Sequence, residues 1–381
     1  MKSRFLCKPG TRAIAFLALV LSVVSGVQAQ SAKLPAEVPV VDGQWWQIAD
    51  ETYDAGEYSN KPEAGEPVKE EHQEVSDFTV YRAADGTWQL VSAVRQTRFP
   101  RGKHLLFRWE STNLTDAKWV EKGVFWTTAS TPEAGYASGV IYAPHCVRHD
   151  GTYYMFHNSA ETAQVLTSKD GKDFKQAKDD RGRYVFFPTG EAGRDLMVLD
   201  NRSQDGLWYV YYTSIDRSRA ELADRQFSDV FARTAESLVG PWSSPIVVGI
   251  GTPERPRHIV HSNYDFVNTE SSFVVYRKGF YYKFEQMYVI ASDDPRDFED
   301  KPLVSSLFPE FKYPEQWWPA LAPEVIVENG QYYVAAFKNH GKRPLEKGGV
   351  FVARLKWVAR SATSSLPMSP IPATGKAIAL N

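Results

Sequence analysis

The chain has 381 residues, with 44 basic and 46 acidic side chains, a formal net charge of −2 and two cysteines. That balance excludes the basic footprint of a nucleic-acid binder, and two cysteines cannot build a disulfide scaffold. No zinc-ligand spacing, phosphate loop or nucleophile elbow occurs.

Residues 1–29 read as a signal peptide. Lys2, Arg4, Lys8 and Arg12 form a basic n-region, Ala13 to Val24 an apolar h-region, and Val27-Gln28-Ala29 a small-residue cleavage site. The mature chain is expected to be secreted or periplasmic. The apolar run is too short for a spanning helix with a stop-transfer segment, and no other segment offers a membrane span. Cleavage leaves 40 basic against 46 acidic residues and Cys146 as the sole cysteine. No intrachain disulfide is then possible, and Cys146 reads as a small buried apolar residue.

Residues 30–75 read as an extended lead-in, marked by Pro35, Pro39 and the acidic stretch Glu63 to Glu74. Gly43-Gln44-Trp45-Trp46-Gln47-Ile48 interrupts it and supplies either an outer strand or a rim aromatic. From 76 to 358 one pattern recurs five times: an apolar strand, a tight turn, an aromatic strand and a third strand. The turns are Asp85-Gly86, Asp150-Gly151, Asp205-Gly206, Lys278-Gly279 and Asn329-Gly330. Each glycine accepts the positive φ of a two-residue hairpin turn, and Val, Tyr, Phe and Trp flank it as in half-buried strands. Glycine spacings of 65, 55, 73 and 51 are blade-sized. The reading is all-β, a five-bladed β-propeller, followed by a disordered tail over 359–381 rich in Ser, Pro and Ala. The 11 Trp and 19 Tyr suit blade packing first and carbohydrate stacking second.

Superimposing the first strands aligns Asp77-Phe78, Ala143-Pro144, Asp195-Leu196 and Ala322-Pro323, with Glu270-Ser271-Ser272 in the fourth blade. A carboxylate at a strand end ordinarily caps a turn. Three at strand entrances that converge on one axis repel each other and raise each other's pKa, which suits one protonated and one ionised partner on a glycosidic bond.

Gly193-Arg194-Asp195-Leu196-Met197-Val198, Glu270-Ser271-Ser272-Phe273-Val274-Val275 and Ala322-Pro323-Glu324-Val325 resemble the five-bladed propeller glycosidases of glycoside hydrolase family 43 and the related family 32. The order Asp, Asp, Glu matches family 43. The resemblance implies a glycosidase acting on furanoside or pentoside linkages, with Asp77 as general base, Asp195 as the carboxylate that orients and tunes the acid, and Glu270 as general acid in an inverting mechanism. A family-32 reading makes Asp77 the nucleophile of a retaining fructosidase or transferase, and a non-catalytic carbohydrate-binding propeller is the third reading. Phe78, Leu196 and Ser272 stand where the family usually has proline. Leu321-Ala322 replaces the histidine that commonly lies near an axial calcium, so no metal ligand and no cofactor is assigned. Substrate-binding candidates are Arg194, His145, Arg95 and Trp318, the first for sugar hydroxyls and the last for stacking; a carbohydrate is the expected partner of a monomer.

Overall fold

The computed structural model describes residues 33–66, 69, 71–100, 103–131, 139–215, 228–249, 270–286, 288–299, 301–307, 321–338 and 348–360. The expected leader, Trp318 and residues 361–381 lie outside them. Five antiparallel sheets form a five-bladed propeller. The strand β1 (Glu37–Ala49) comes first in sequence but is used last in the architecture, as shown below. Blade one is β2 (Glu74–Arg82), β3 (Trp88–Arg95), β4 (Leu105–Ser111) and β5 (Val120–Trp126). Blade two is β6 (Tyr142–His149), β7 (Thr152–Ser159) and β8 (Thr162–Ser168), with the two-residue strands β9 (Lys175–Gln176) and β10 (Phe187–Pro188) on its outer side. Blade three is β11 (Arg194–Asp200), β12 (Trp208–Ser214), β13 (Asp229–Ala235) and β14 (Ile246–Gly249). Blade four is β15 (Phe273–Arg277), β16 (Phe280–Glu285), β17 (Tyr288–Ser292) and β18 (Leu303–Ser306). Blade five is β19 (Leu321–Glu328), β20 (Gln331–Lys338) and β21 (Gly349–Ala359).

The fourth strand of blade five is β1, which pairs antiparallel with β21 from Glu37↔Ala359 to Ala49↔Val350, with a shift between Asp42 and Trp46. The expected boundary between a lead-in at 30–75 and a propeller at 76 is therefore corrected. The segment carrying Trp45 and Trp46 is the outer strand of the last blade, and β21 runs one residue past the expected end, to Ala359. β1 also ties to blade four: Glu37 bonds Arg277 at 2.9 Å and Lys278 at 2.7 Å, and the Tyr282 hydroxyl donates to the Glu37 carbonyl at 2.8 Å.

Five apolar clusters form the core, each a wedge between neighbouring blades. Ile48, Phe78, Trp109 and Val350 join blades five and one; Leu106 and Tyr153 join one and two; Phe156 and Trp208 join two and three; Tyr211 and Phe298 join three and four; Phe284 and Val334 join four and five. Apolar burial is thus distributed around a ring. The tryptophans that could have served as sugar platforms, Trp88, Trp109, Trp119 and Trp208, are buried in or against these wedges.

Three hairpins carry the expected two-residue turn, with positive φ at both Asp150 and Gly151, Lys278 and Gly279, Asn329 and Gly330. The other two do not. Gly86 alone is left-handed in a longer loop closed by Ala83 and Thr87, and Gly206 caps a one-turn helix, α1 (Arg202–Asp205). Among the described residues no helix is long and apolar enough to cross a membrane.

Candidate active site

The first strand of every blade feeds one axial cavity of about 30 Å³, lined by Asp77, Ala143, Asp195, Ser271 and Ala322 with the residues after them. Four of these five positions share a left-handed backbone on a non-glycine residue: φ is 52° at Ala143, 62° at Asp195, 53° at Ser271 and 46° at Ala322. Each such residue costs on the order of 1–3 kcal/mol unless its surroundings enforce it. In β6, β11 and β19 the left-handed residue falls within a register shift, between Tyr142 and His145, Arg194 and Met197, and Leu321 and Glu324. The bulge turns one side chain per blade toward the axis.

This register corrects the sequence alignment in blade four. Ser271, not Glu270, is the counterpart of Asp195; Glu270 stands one residue earlier, level with Arg194 and Tyr142. Ala and Ser have no marked preference for left-handed backbone, so residue type could not mark the bulge.

Burial is the largest cause of a raised pKa at Asp77, reinforced by the charge of Glu270 and opposed by Arg95 and Arg194. Asp195, 7% exposed, is pushed up to about 8, again by burial first and then by Asp77, with Arg194 opposing. The Ser271 hydroxyl reaches Asp77 Oδ1 at 3.5 Å, and the Ser271 amide donates to Asp195 Oδ2 at 3.3 Å. Ser271 therefore bridges the two aspartates. Glu270 accepts from Arg194 Nε at 3.2 Å and from Nη2 on the same oxygen, Oε2. Asp195 Oδ2 lies 3.4 Å from Arg194 Nε. Burial works against the charge of Arg194, but Glu270, Asp195 and Asp77 outweigh it and raise its pKa. Asp77, Asp195, Glu270 and Arg194 are thus one electrostatic unit, a grouping typical of sites that do proton chemistry.

The remaining candidates separate. His145 lines the cavity, but its Nδ1 is hydrogen-bonded to Glu324 Oε1 at 3.1 Å, and Glu324 Oε2 accepts the Val80 amide at 2.9 Å. Glu324 is raised by burial with His145 opposing; the pair spans blades two and five. Arg95 bonds Glu74 and leaves 39% of its side chain exposed. Cys146 is partly rather than fully buried, and burial pushes its thiol pKa well up, away from thiolate chemistry. Among the described residues no group of three His, Cys, Asp or Glu is placed to hold a metal ion. His145, the histidine lining the cavity, is engaged by Glu324 through Nδ1, and no step is routed through a metal.

Sequence reasoning missed Tyr142, His104 and Ser228. Tyr142 is raised by burial and by Asp195 and meets His104 edge-on at 6.1 Å; His104 is pushed down to about 4 by burial and then Arg95. Ser228 accepts from Arg194 Nη2 at 3.1 Å. Shared register was the available signal for Tyr142, which occupies the position of Arg194. A larger surface cleft, about 660 Å³ beside β4 and β5, shares no lining residue with the axial cavity.

The model of the family described as "Glycosyl hydrolases family 43" matches residues 144–367. No curated protein matches the chain by sequence. Solved structures that resemble it include a thermostable family-43 glycoside hydrolase, at 17% identity and TM-score 0.54 over 76% of this chain and 95% of that one. An endo-arabinase from Bacteroides thetaiotaomicron aligns at 12% identity and TM-score 0.52 over 78% and 97%. An endo-1,4-beta-xylanase from the same organism aligns at 12% and 0.51 over 74% and 90%. At these identities the likeness establishes the fold.

Proposed function

The chain belongs to the glycosyl hydrolases of family 43, and from that premise we propose that this glycoside hydrolase cleaves furanoside or pentoside linkages of a glycan with inversion, using Asp77, Asp195 and Glu270. The observation that carries the reading is the electrostatic unit at the propeller mouth, where the half-buried Asp77, the buried Asp195 and Glu270 meet around Arg194. In this scheme ionised Asp77 removes a proton from a water that attacks the anomeric carbon. Glu270 gives a proton to the leaving oxygen, and Asp195, joined to both partners through Ser271 and Arg194, holds the acid in place. The names of the arabinase and xylanase neighbours support a pentose at the scissile bond. The enzyme is read as an exported monomer, cleaved before Gln30.

NMR of wild type and Glu270→Gln with arabinan, xylan, fructan and aryl furanosides, following anomeric signals in time, tests the proposal. Cleavage by wild type with inverted product, lost in the variant, is the expected result. Retained configuration would reassign Asp77 as nucleophile, and undiminished cleavage by Glu270→Gln would remove the acid role.

A further inference from the structure

Arg194 sits where catalysis needs an unencumbered acid. Its Nε and Nη2 both address Glu270 Oε2, Nη2 also reaches Ser228 Oγ at 3.1 Å, and Nη1 donates to the Ala192 carbonyl at 2.9 Å. Such a pair is made by an ionised carboxylate, whereas protonating a leaving oxygen requires the neutral acid. The guanidinium therefore has to leave Glu270 before the glycosidic bond breaks. It cannot leave without a new partner, because its side chain is only 25% exposed and a half-buried cation stripped of its anion is costly. Asp195 is the other carboxylate within ion-pair distance among the described residues, at 3.4 Å. Its Oδ2 already accepts the Ser271 amide, and Asp77 repels its charge.

Resting on the glycosidase reading above, we propose that Arg194 is the receptor for an anionic group of the substrate: the glycan carries a carboxylate or sulfate on a sugar flanking the scissile bond, and that group draws Arg194 off Glu270. A guanidinium presents paired N–H donors that match two oxygens of either anion. A neutral pentoside offers hydroxyls alone, which do not replace the lost charge, so Arg194 stays on Glu270 and turnover is slow. Arg95 is held on Glu74 and is close enough to Asp77 to favour its ionised form. The arrangement selects acidic glycans by coupling recognition to release of the acid.

Matched substrates test this. Xylan oligosaccharides bearing uronate and xylan oligosaccharides bearing sulfate, together with the carboxyl-reduced and desulfated forms of each, are supplied to wild type, Arg194→Gln and Arg194→Lys, with cleavage followed by NMR. In wild type one acidic form is expected to exceed its neutralised counterpart about tenfold or more in kcat/KM. Arg194→Gln abolishes the difference, and Arg194→Lys, which keeps the cation and guards against a variant that fails to fold, retains part of it. Which acidic form wins separates carboxylate from sulfate. Equal turnover of charged and neutralised forms, or a preference unchanged in Arg194→Gln, overturns the proposal and leaves the glycosidase reading standing. Absence of cleavage everywhere removes the glycosidase reading instead. Calorimetric binding of the same pairs to Asp77→Asn, with and without Arg194→Gln, then decides: tighter binding of the acidic form that depends on Arg194 upholds the receptor, and its absence overturns it.

Discussion

Asp77 and Asp195 lose their hydration on folding, and that loss, ahead of any neighbouring charge, lifts both above an ordinary aspartate. For a general base the consequence is kinetic. The acidic limb of kcat/KM should follow the deprotonation of Asp77 and so lie above 3.8, the value of an unperturbed aspartate; a pH–rate profile already flat at pH 4 would contradict it. Asp77→Asn is expected to lower kcat by about 10²–10⁴-fold with native near-UV dichroism retained. For Asp195 the consequence is also thermodynamic. A carboxyl whose pKa is raised in the folded state binds its proton more tightly there than in the unfolded chain. Folding thus takes up a proton between about pH 4 and about pH 8, and stability falls as pH rises through that window. Asp195→Asn removes this titration. Its urea midpoint should decline less than that of wild type between those limits and lie above it at pH 8, while cleavage is lost. Equal slopes for both proteins would show that Asp195 does not carry the effect. The gain in stability with loss of activity is the trade expected of a site that holds buried like charges together.

At the scale of elements, the tails Ser168-Lys169-Asp170-Gly171-Lys172-Asp173-Phe174 and Ser292-Asp293-Asp294-Pro295-Arg296-Asp297-Phe298 are parts of the ring. Asp170 Oδ1 accepts the amides of Lys172 at 2.8 Å and Asp173 at 2.9 Å, and the turn delivers Phe174 edge-on to Tyr81 of the preceding blade. Phe298 reaches Tyr211 in the same way. Gly171 has φ +79°, and an added Cβ would lie 3.0 Å from the Tyr153 ring. Gly171→Ala should therefore cost on the order of 1–3 kcal/mol in urea unfolding; an unchanged midpoint would show that the turn yields freely. The five glycine turns and the aromatic strands beside them were legible because turn chemistry and residue type repeat at blade-sized spacing. The offset of Glu270 was not. It depends on which residue of a bulge turns left-handed, and at Ala143, Ser271 and Ala322 tertiary packing imposes that against local preference. The dipeptide Asp-Gly likewise served both a two-residue hairpin at 150–151 and a helix cap at 205–206. His104 entered the site by proximity to Tyr142 across blades, which no periodicity along one chain encodes.

At the scale of the molecule, stability resides in five wedges, and each blade contributes to two of them, so no blade is self-sufficient. β1 belongs to two wedges at once: Ile48 is fully buried between blades five and one, and Val38 lies between blades four and five. It also covers β21, an eleven-residue strand that would otherwise present an unpaired edge. Removing β1 takes away both apolar contributions and the Glu37 anchors to blade four, although none of its residues lines the axial cavity. A chain begun at residue 50 should therefore be recovered as aggregate or as a species lacking near-UV dichroism. A peptide spanning 34–49, added during refolding, should restore a monomeric species that retains the mouth carboxylates. Size-exclusion chromatography and dichroism read both arms. A soluble, native-like truncated chain would mean that the last blade holds its edge with three strands. Under the closure argument it does not, because the three mouth carboxylates come from blades one, three and four, which converge only while the ring is shut, and like charges brought together work against convergence. Closing the ring through a strand far from the chemistry keeps that repulsion confined without placing a structural contact among the reacting groups.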